Sequence, residues 1–350
     1  MTYRVVQWAT GAMGKSCLRA VIDHPDLELA GLYVYSDSKA GRDAGDIARR
    51  DPTGVFATKS IDDILALDAD VVIHCPLLRF PYDAHDEDVC RLLESGKNVI
   101  ALNNYFHPAS ISPAYAAKLE ASAKKGGVTL VGAGINPGFI AERVAAMASG
   151  LCLDIDSIYC REVFDCLGMP NPDYVFGVMG MGSDPASIDL KDGKLARLFT
   201  DMYRQPVGAL AERLGVTLDR IEADHQVTLA PEDIEARAGI IKAGTVAATN
   251  WQLHGIRNGE RFITHSVNWV MGKNLPGYED AKHWKVSIRG LPGVTIDMNL
   301  DEPENTTAKT KSEQYSAAAV VSQAIPHVVA AAPGLYQLPI ANWREHLTAP

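Results

Sequence analysis

Across residues 1–140 short apolar runs alternate with helix-like stretches, and this rhythm constrains the fold more than any other feature of the sequence. The runs lie at 3–8 (YRVVQW), 27–35 (LELAGLYVY), 69–75 (ADVVIHC), 98–102 (NVIAL) and 128–131 (VTLV). Such runs are too short for helices and too apolar for loops, and the one at 69–75 has the pattern of a strand buried on both faces. Between them, 12–21, 61–67, 83–95 and 113–125 read as helices, the last two stopped by Gly96 and by Gly126-Gly127. Strand and helix in strict alternation predict an α/β, doubly wound parallel sheet covered by helices on both sides.

The first strand runs through a glycine turn straight into the first helix. Ala9, Gly11 and Gly14 occupy the three positions of a G-x-G-x-x-G fingerprint, with alanine in the first place. On its own such a match is often an ordinary tight turn. After a strand and before a helix it predicts a Rossmann-type site, in which Thr10, Gly11, Ala12, Met13 and Gly14 meet a pyrophosphate at the helix N-terminus. After the second strand, Asp37 suits the 2′-hydroxyl of NAD, whereas Ser36, Ser38, Lys39 and Arg42 suit the 2′-phosphate of NADP. The strand ends on Tyr35, so the usual acidic position is vacant; NADP is the expected cofactor, with NAD possible. Cys75 and Pro76 after the third strand, Asn103 after the fourth, and Asn136-Pro137 after the fifth are further expected cofactor contacts, because ligands of open parallel sheets lie outside the strands' carboxyl ends. The Asn136-Pro137-Gly138 loop also reads as a rigid interdomain hinge. His74, inside an apolar run, reads as a core residue.

The chain has 350 residues, 47% of them hydrophobic, enough for two domains. Lys plus Arg number 33 against 43 Asp plus Glu, a formal charge of −10, which argues against nucleic acid or an anionic membrane as partner. Six cysteines form no C-x-x-C and no ligand spacing with histidine, so no metal is expected and reduced thiols in a cytoplasmic protein are. Beyond about residue 150 the strands lengthen, at 155–164, 262–270, 284–289 and 294–300, with helix near 195–214. They predict an α+β domain over 141–311, an antiparallel sheet with helices on one side, hosting substrate and a dimer contact. The remainder, 312–350, is expected to return to the dinucleotide-binding domain of 1–140, through a helix over 312–332 interrupted at Ile325-Pro326.

Four stretches together carry a resemblance: WATGAMG at 8–14, YVYSDSKAGRDAGD at 33–46, GAGINPGF at 132–139 and AIPHVVAAAPGL at 324–335. They resemble the family of 2,4-diaminopentanoate dehydrogenase and the bacterial NAD(P)-dependent amine dehydrogenases, relatives of dihydrodipicolinate reductase. The resemblance implies a Rossmann domain, an α+β substrate domain, a homodimer, and hydride exchange between a nicotinamide and a carbon bearing nitrogen. One departure stands out. Where the amine dehydrogenases carry a pair of glutamates after the fourth strand, this sequence has Asn104 and Tyr105. The adjacent histidines and following lysine of the reductase are also missing, since GINPGF occupies that region.

Reductive amination of a ketone or aldehyde needs proton management for an entering amine and a leaving water. Asn104 is a candidate anchor for a carbonyl or iminium, although an amide cannot shuttle protons. Tyr105 is a proton donor if its pKa is lowered, and otherwise a wall of the pocket. His107 is a titrating partner or a turn residue. Glu162 and Asp165, three apart on a strand, face opposite sides, so one of them at most replaces the lost glutamate; Glu162 completes the candidate catalytic set. His265 and Asn268 are expected to reach a cleft. Two alternatives stay open: an ammonia-independent carbonyl or imine reductase, and a non-catalytic NADP-binding sensor or assembly protein.

Overall fold

The computed structural model describes residues 2–279, 283–304 and 310–340. It divides into two compact units, one running to Phe139 and resuming at Asp301, the other Ile140–Leu300. In the first, strands β1 (Tyr3–Trp8), β2 (Leu27–Tyr33), β3 (Val71–His74), β4 (Asn98–Ala101) and β5 (Thr129–Gly132) form an all-parallel sheet. Its order is β5-β4-β3-β1-β2, with a two-residue strand at Gly334–Leu335 beyond β5. The chain leaves β1 for β2 on one side and returns past it to β3 on the other. The strand order therefore reverses beside β1, where a doubly wound sheet opens a crevice at its carboxyl edge.

Alternate residues of each strand feed opposite layers. Val5, Ile73, Ile100 and Val131 pack with α1 (Ala12–Asp23) and the last helix, Ser312–Ala330. Val6, Val72, Val99 and Leu130 pack on the other face with α4 (Asp86–Glu94) and α5 (Pro113–Gly126). Two short helices, α2 (Ala44–Ala48) and α3 (Ile61–Ala66), complete this unit before β3. The last helix runs unbroken through Pro326, correcting the expected interruption there. Ala324, Ile325, Pro326 and Val328 are all buried, and that packing outweighs the hydrogen bond proline removes. The part of the expected C-terminal segment beyond residue 340 lies outside the described residues.

The second unit opens with a π-helical turn, Ile140–Ala145, and α6 (Ala146–Ser149). Its main sheet comprises β6 (Asp154–Asp165), β7 (Arg220–Ala223), β8 (Gln226–Leu229), β11 (Val246–Arg257), β12 (Glu260–Val270), β13 (Trp284–Leu291) and β14 (Val294–Met298), while β9 (Ile234–Ala236) and β10 (Gly239–Ile241) pair separately. The sheet is mixed rather than antiparallel, because β6 and β12 run parallel from Ile158↔Ile263 to Asp165↔Val270. Parallel neighbours need a long crossover, and α7 (Lys194–Arg213) with the intervening strands provides it. α7 covers one face: Phe199 lies 4.4 Å from Trp251 and 5.0 Å from Trp269, and the Tyr203 ring lies tilted against His265 at 5.5 Å. The opposite face is a polar ladder, in which Asn268 Nδ2 donates to Ser266 Oγ (3.0 Å) and Ser266 Oγ to Asn250 Oδ1 (2.9 Å).

Candidate active site

The turn after β1 is strained and closely braced. Ala9 has φ +74°, a left-handed conformation that glycine adopts freely and alanine at a cost, which is why the fingerprint favours glycine there. Its N–H donates to Tyr33 O (2.9 Å), and its carbonyl accepts from the buried Gln7 Nε2 (3.0 Å). A Cβ on Gly14 would stand 2.3 Å from that carbonyl, so only glycine lets α1 approach β1 this closely. Gly11 has nothing within 4 Å of the position a Cβ would take. As the cap of α1 it offers no side chain, and the helix has no acidic residue in its first turn. The N–H groups at Ala12 and Met13 thus open toward a space with positive helix-end potential.

Cations gather beside this opening. Lys39 Nζ donates to both Thr10 O and Thr10 Oγ1, each at 3.0 Å, and so leans over the glycine turn. Burial holds its ammonium below the usual lysine range, and the positive charges of Lys15 and Arg42 add to the effect. Ser36 and Ser38 pair at 2.7 Å alongside. Asp37, by contrast, is ion-paired with Lys59 and exposed. Around the rest of the carboxyl edge, Asn103 Nδ2 donates to Pro76 O (2.8 Å), tying the loop after β4 to the loop after β3. Asn136-Pro137 is a cis peptide, and Gly138 (φ +117°) has no room for a Cβ, which would lie 2.5 Å from Gly134 N. Cys75 departs from expectation: its side chain is buried in the core with Cys17, so its backbone alone is left to line a site.

The two residues in place of the glutamate pair are not free. Asn104 is 3% exposed and its Nδ2 donates to Tyr82 O (3.0 Å). Tyr105 is 1% exposed, sits at φ +67°, and donates its hydroxyl to Asp86 Oδ1 (3.0 Å). Burial, and then the Asp86 charge, push this phenol well above its usual range, the reverse of what a proton donor needs. Both candidate roles are therefore withdrawn: the amide and the phenol are spent on bracing the loop.

Residues 5–75 match the model of the dihydrodipicolinate reductase N-terminus, and residues 139–343 match that of the 2,4-diaminopentanoate dehydrogenase C-terminal domain. An amine dehydrogenase of Streptomyces virginiae is 30% identical over 344 residues, covering 95% of this chain and 94% of that one. The chain belongs to the 2,4-diaminopentanoate dehydrogenase family. A 2,4-diaminopentanoate dehydrogenase of Acetoanaerobium sticklandii is 24% identical over 96% of this chain and 92% of its own length. The amine dehydrogenase of Mycobacterium smegmatis shares the fold, with a TM-score of 0.76 at 22% identity, covering 97% of this chain and 96% of that one. Family members are oxidoreductases acting on CH–NH2 donors with a nicotinamide coenzyme.

The family's second unit holds the remaining candidate, Glu162, on the α7-covered face of β6. It is 8% exposed, and Trp284 Nε1 donates to its Oε2 at 2.7 Å. Burial drives the hydroxyls of Tyr174, to about 12, and of Tyr203 upward, and the Glu162 charge adds to both. Asp165 is exposed and caps a turn by accepting from Leu167 N (3.0 Å). His265 is buried against Tyr203 and held down to about 3 by burial, and Asn268 Nδ2 donates to the carbonyl of Glu162 (2.9 Å); neither reaches a cleft. His107 Nδ1 lies 2.6 Å from Ser110 Oγ, in the 3-10 turn Pro108–Ser110. His74 is buried and neutral, its pKa lowered to about 3.

Two groups escaped the sequence reading. Glu142 and Arg143, each 4% exposed, lie in the π-helical turn directly after GINPGF. Burial and the Arg213 charge lower the Arg143 pKa, while Glu142 raises it. Their signal was present, as a charged pair inside the apolar run FIAERVAA, and π-turns recur at functional sites. The other is Asp86, whose partners come from distant elements. Among the described residues no cluster of His, Cys, Asp or Glu has the arrangement of a metal site, and no helix is long and apolar enough to cross a membrane.

Proposed function

We propose that this chain is an NADP-dependent amine dehydrogenase that interconverts a ketone or aldehyde plus ammonia with a primary amine. The observation that carries the coenzyme assignment is Lys39 held over the uncapped start of α1, with Lys15 and Arg42 adjoining. N–H groups at Ala12 and Met13 receive the pyrophosphate; Lys39, Arg42, Ser36 and Ser38 receive the 2′-phosphate, while Lys59 occupies the acidic Asp37. The chemistry that a nicotinamide would supply here, when bound, is hydride exchange with the carbon that bears nitrogen. Pro76, Asn103, Asn136 and Pro137 line the carboxyl edge where that ring is held. Fluorescence titration with NADPH and NADH tests this: Lys39→Ala should weaken NADPH roughly 10- to 100-fold, the worth of a charge-assisted hydrogen bond, and leave NADH unchanged. An equal loss for both coenzymes would sink the NADP assignment.

Glu162 is the carboxylate that serves the substrate's nitrogen in this reading. General acid–base groups contribute about 10²- to 10⁴-fold, so Glu162→Gln should lower the amination kcat by that order with NADPH affinity intact. Stopped-flow measurement of NADPH oxidation, with separate titration of coenzyme, checks it. A second reading, reduction of a carbonyl or preformed imine without ammonia, is favoured by the absence of any free carboxylate at Asn104 and Tyr105. NADPH oxidation that is indifferent to ammonium across a carbonyl panel would select it, and coenzyme binding without turnover would select a sensor. The six free cysteines support a reducing, cytoplasmic setting.

A further inference from the structure

Asp86 is a carboxylate 3% exposed in the first turn of α4, with no place in the chemistry above. Three donors converge on it: the Tyr105 hydroxyl (3.0 Å) and Tyr115 hydroxyl (3.1 Å) on Oδ1, and Lys118 Nζ (3.0 Å) on Oδ2. A buried charge is tolerated only when its hydrogen bonds are satisfied, and here they are satisfied from α5 and from the loop after β4. That loop is the informative partner. Tyr105 is one of few non-glycine residues with positive φ, and such strain persists only where the surroundings impose it.

The imposed conformation is transmitted to the neighbouring loops. Tyr105 N donates to Tyr82 Oη (3.3 Å), while Tyr82 O accepts from Asn104. Gly132 N, at the end of β5, donates to Tyr105 O (3.0 Å), and a Cβ on Gly132 would sit 2.5 Å from Phe106 N and 2.6 Å from Asn104 O. Asn103 reaches the loop after β3 through Pro76 O. Displacing Tyr105 therefore disturbs the carboxyl ends of β3, β4 and β5 together. None of the hydrogen bonds just named runs to the ends of β1 and β2, which carry the glycine turn and Lys39; Trp8 and Ala9 share with the Tyr105 ring only a buried apolar layer.

We propose that Asp86 is a positioning residue for the nicotinamide end of the coenzyme: through the Tyr105 hydroxyl it fixes the left-handed turn that sets Asn103 and the adjoining strand-end loops. The proposal rests on the dinucleotide-site reading above and assigns a division of labour within it. The adenosine half depends on the turn after β1, and the nicotinamide half on a carboxylate buried behind β4.

Fragment binding separates the halves. Calorimetric titrations of wild type, Asp86→Asn and Tyr105→Phe are made with NADPH and with adenosine 2′,5′-bisphosphate, which lacks the nicotinamide end. Both variants should weaken NADPH about tenfold, a loss of about 1.4 kcal/mol, and leave the bisphosphate within about twofold. The double variant should lose no more than the worse single one, since both break one chain of contacts. Tyr105→Phe keeps the ring and so remains informative if Asp86→Asn fails to fold. Equal loss for both ligands would show a merely structural role and overturn the proposal, as would unchanged NADPH affinity in Tyr105→Phe. A wild-type chain that binds neither ligand would instead overturn the dinucleotide reading.

Discussion

At the scale of single residues, the glycine turn has a correctable flaw and a position that admits no change. Ala9 is held at φ +74°, so Ala9→Gly should raise stability by about 1 kcal/mol through relief of left-handed strain, less what glycine adds to unfolded-state entropy. Chemical denaturation at pH 7.5 measures it, and a fall in midpoint would contradict the strain assignment. Gly14→Ala acts oppositely, because its methyl group meets the Ala9 carbonyl, and NADPH binding should be lost with it. Histidines withdrawn from water set an acid limit, His225 and His283 held down to about 4 and two others lower still. His74 and His265 are buried with folded pKa values of about 3, below the ordinary 6.5, so the unfolded chain binds protons that the native one refuses. Stability is complete above about pH 6.5 and falls as pH drops toward 3, at about 1.4 kcal/mol per unit for each histidine. Denaturant midpoints between pH 7.5 and 4.5 should show that slope, to which His225 and His283 add, and His74→Gln should remove only its own share, about 1.4 kcal/mol per unit.

At the scale of elements, local pattern carried the first unit and faltered where partners were distant. The five strands and their helices were legible because each buries a continuous apolar run against neighbours of the same kind. The strand Val246–Arg257 was not, since VAATNWQLHGIR has neither a strong alternation nor high β propensity; it is a strand because β7, β8 and β12 pair with it. The parallel pairing of β6 with β12 was invisible for the same reason: direction is set by connection, and no residue encodes it. Within the site, the glycine turn was readable because its constraint is steric and local. Asn104 and Tyr105 were misread because the carbonyl of Tyr82 and the carboxylate of Asp86 decide their fate, from 22 and 19 positions away. Glu162 was readable as a carboxylate on a strand, but its Trp284 partner, 122 positions on, was not.

At the scale of the molecule, the unit that carries the glycine turn is built from both ends of the chain. The last helix contributes Ala317, Val321, Ala324, Ile325 and Val328 to the layer that α1 shares. A chain ending at Leu300 should therefore lose the cooperative unfolding transition of that unit and all NADPH affinity, as calorimetry and titration would show. Survival of full coenzyme affinity would mean that this layer is dispensable. We also propose that the chain forms a homodimer. Light scattering should report twice the 37.8 kDa chain mass, and a single chain mass would overturn the dimer.

The split of the coenzyme unit bears on how the protein is made. Ribosomes deliver the chain from its amino end, and domains generally fold as they emerge. The glycine turn, synthesised before the second unit, waits with one layer of its sheet uncovered while Ile140–Leu300 is completed. The helix Ser312–Ala330 arrives afterwards. The coenzyme half, begun before the other, is the later to close, and a nascent chain stalled before Asp301 would expose the apolar face of α1 and its sheet to whatever chaperone stands at the tunnel exit.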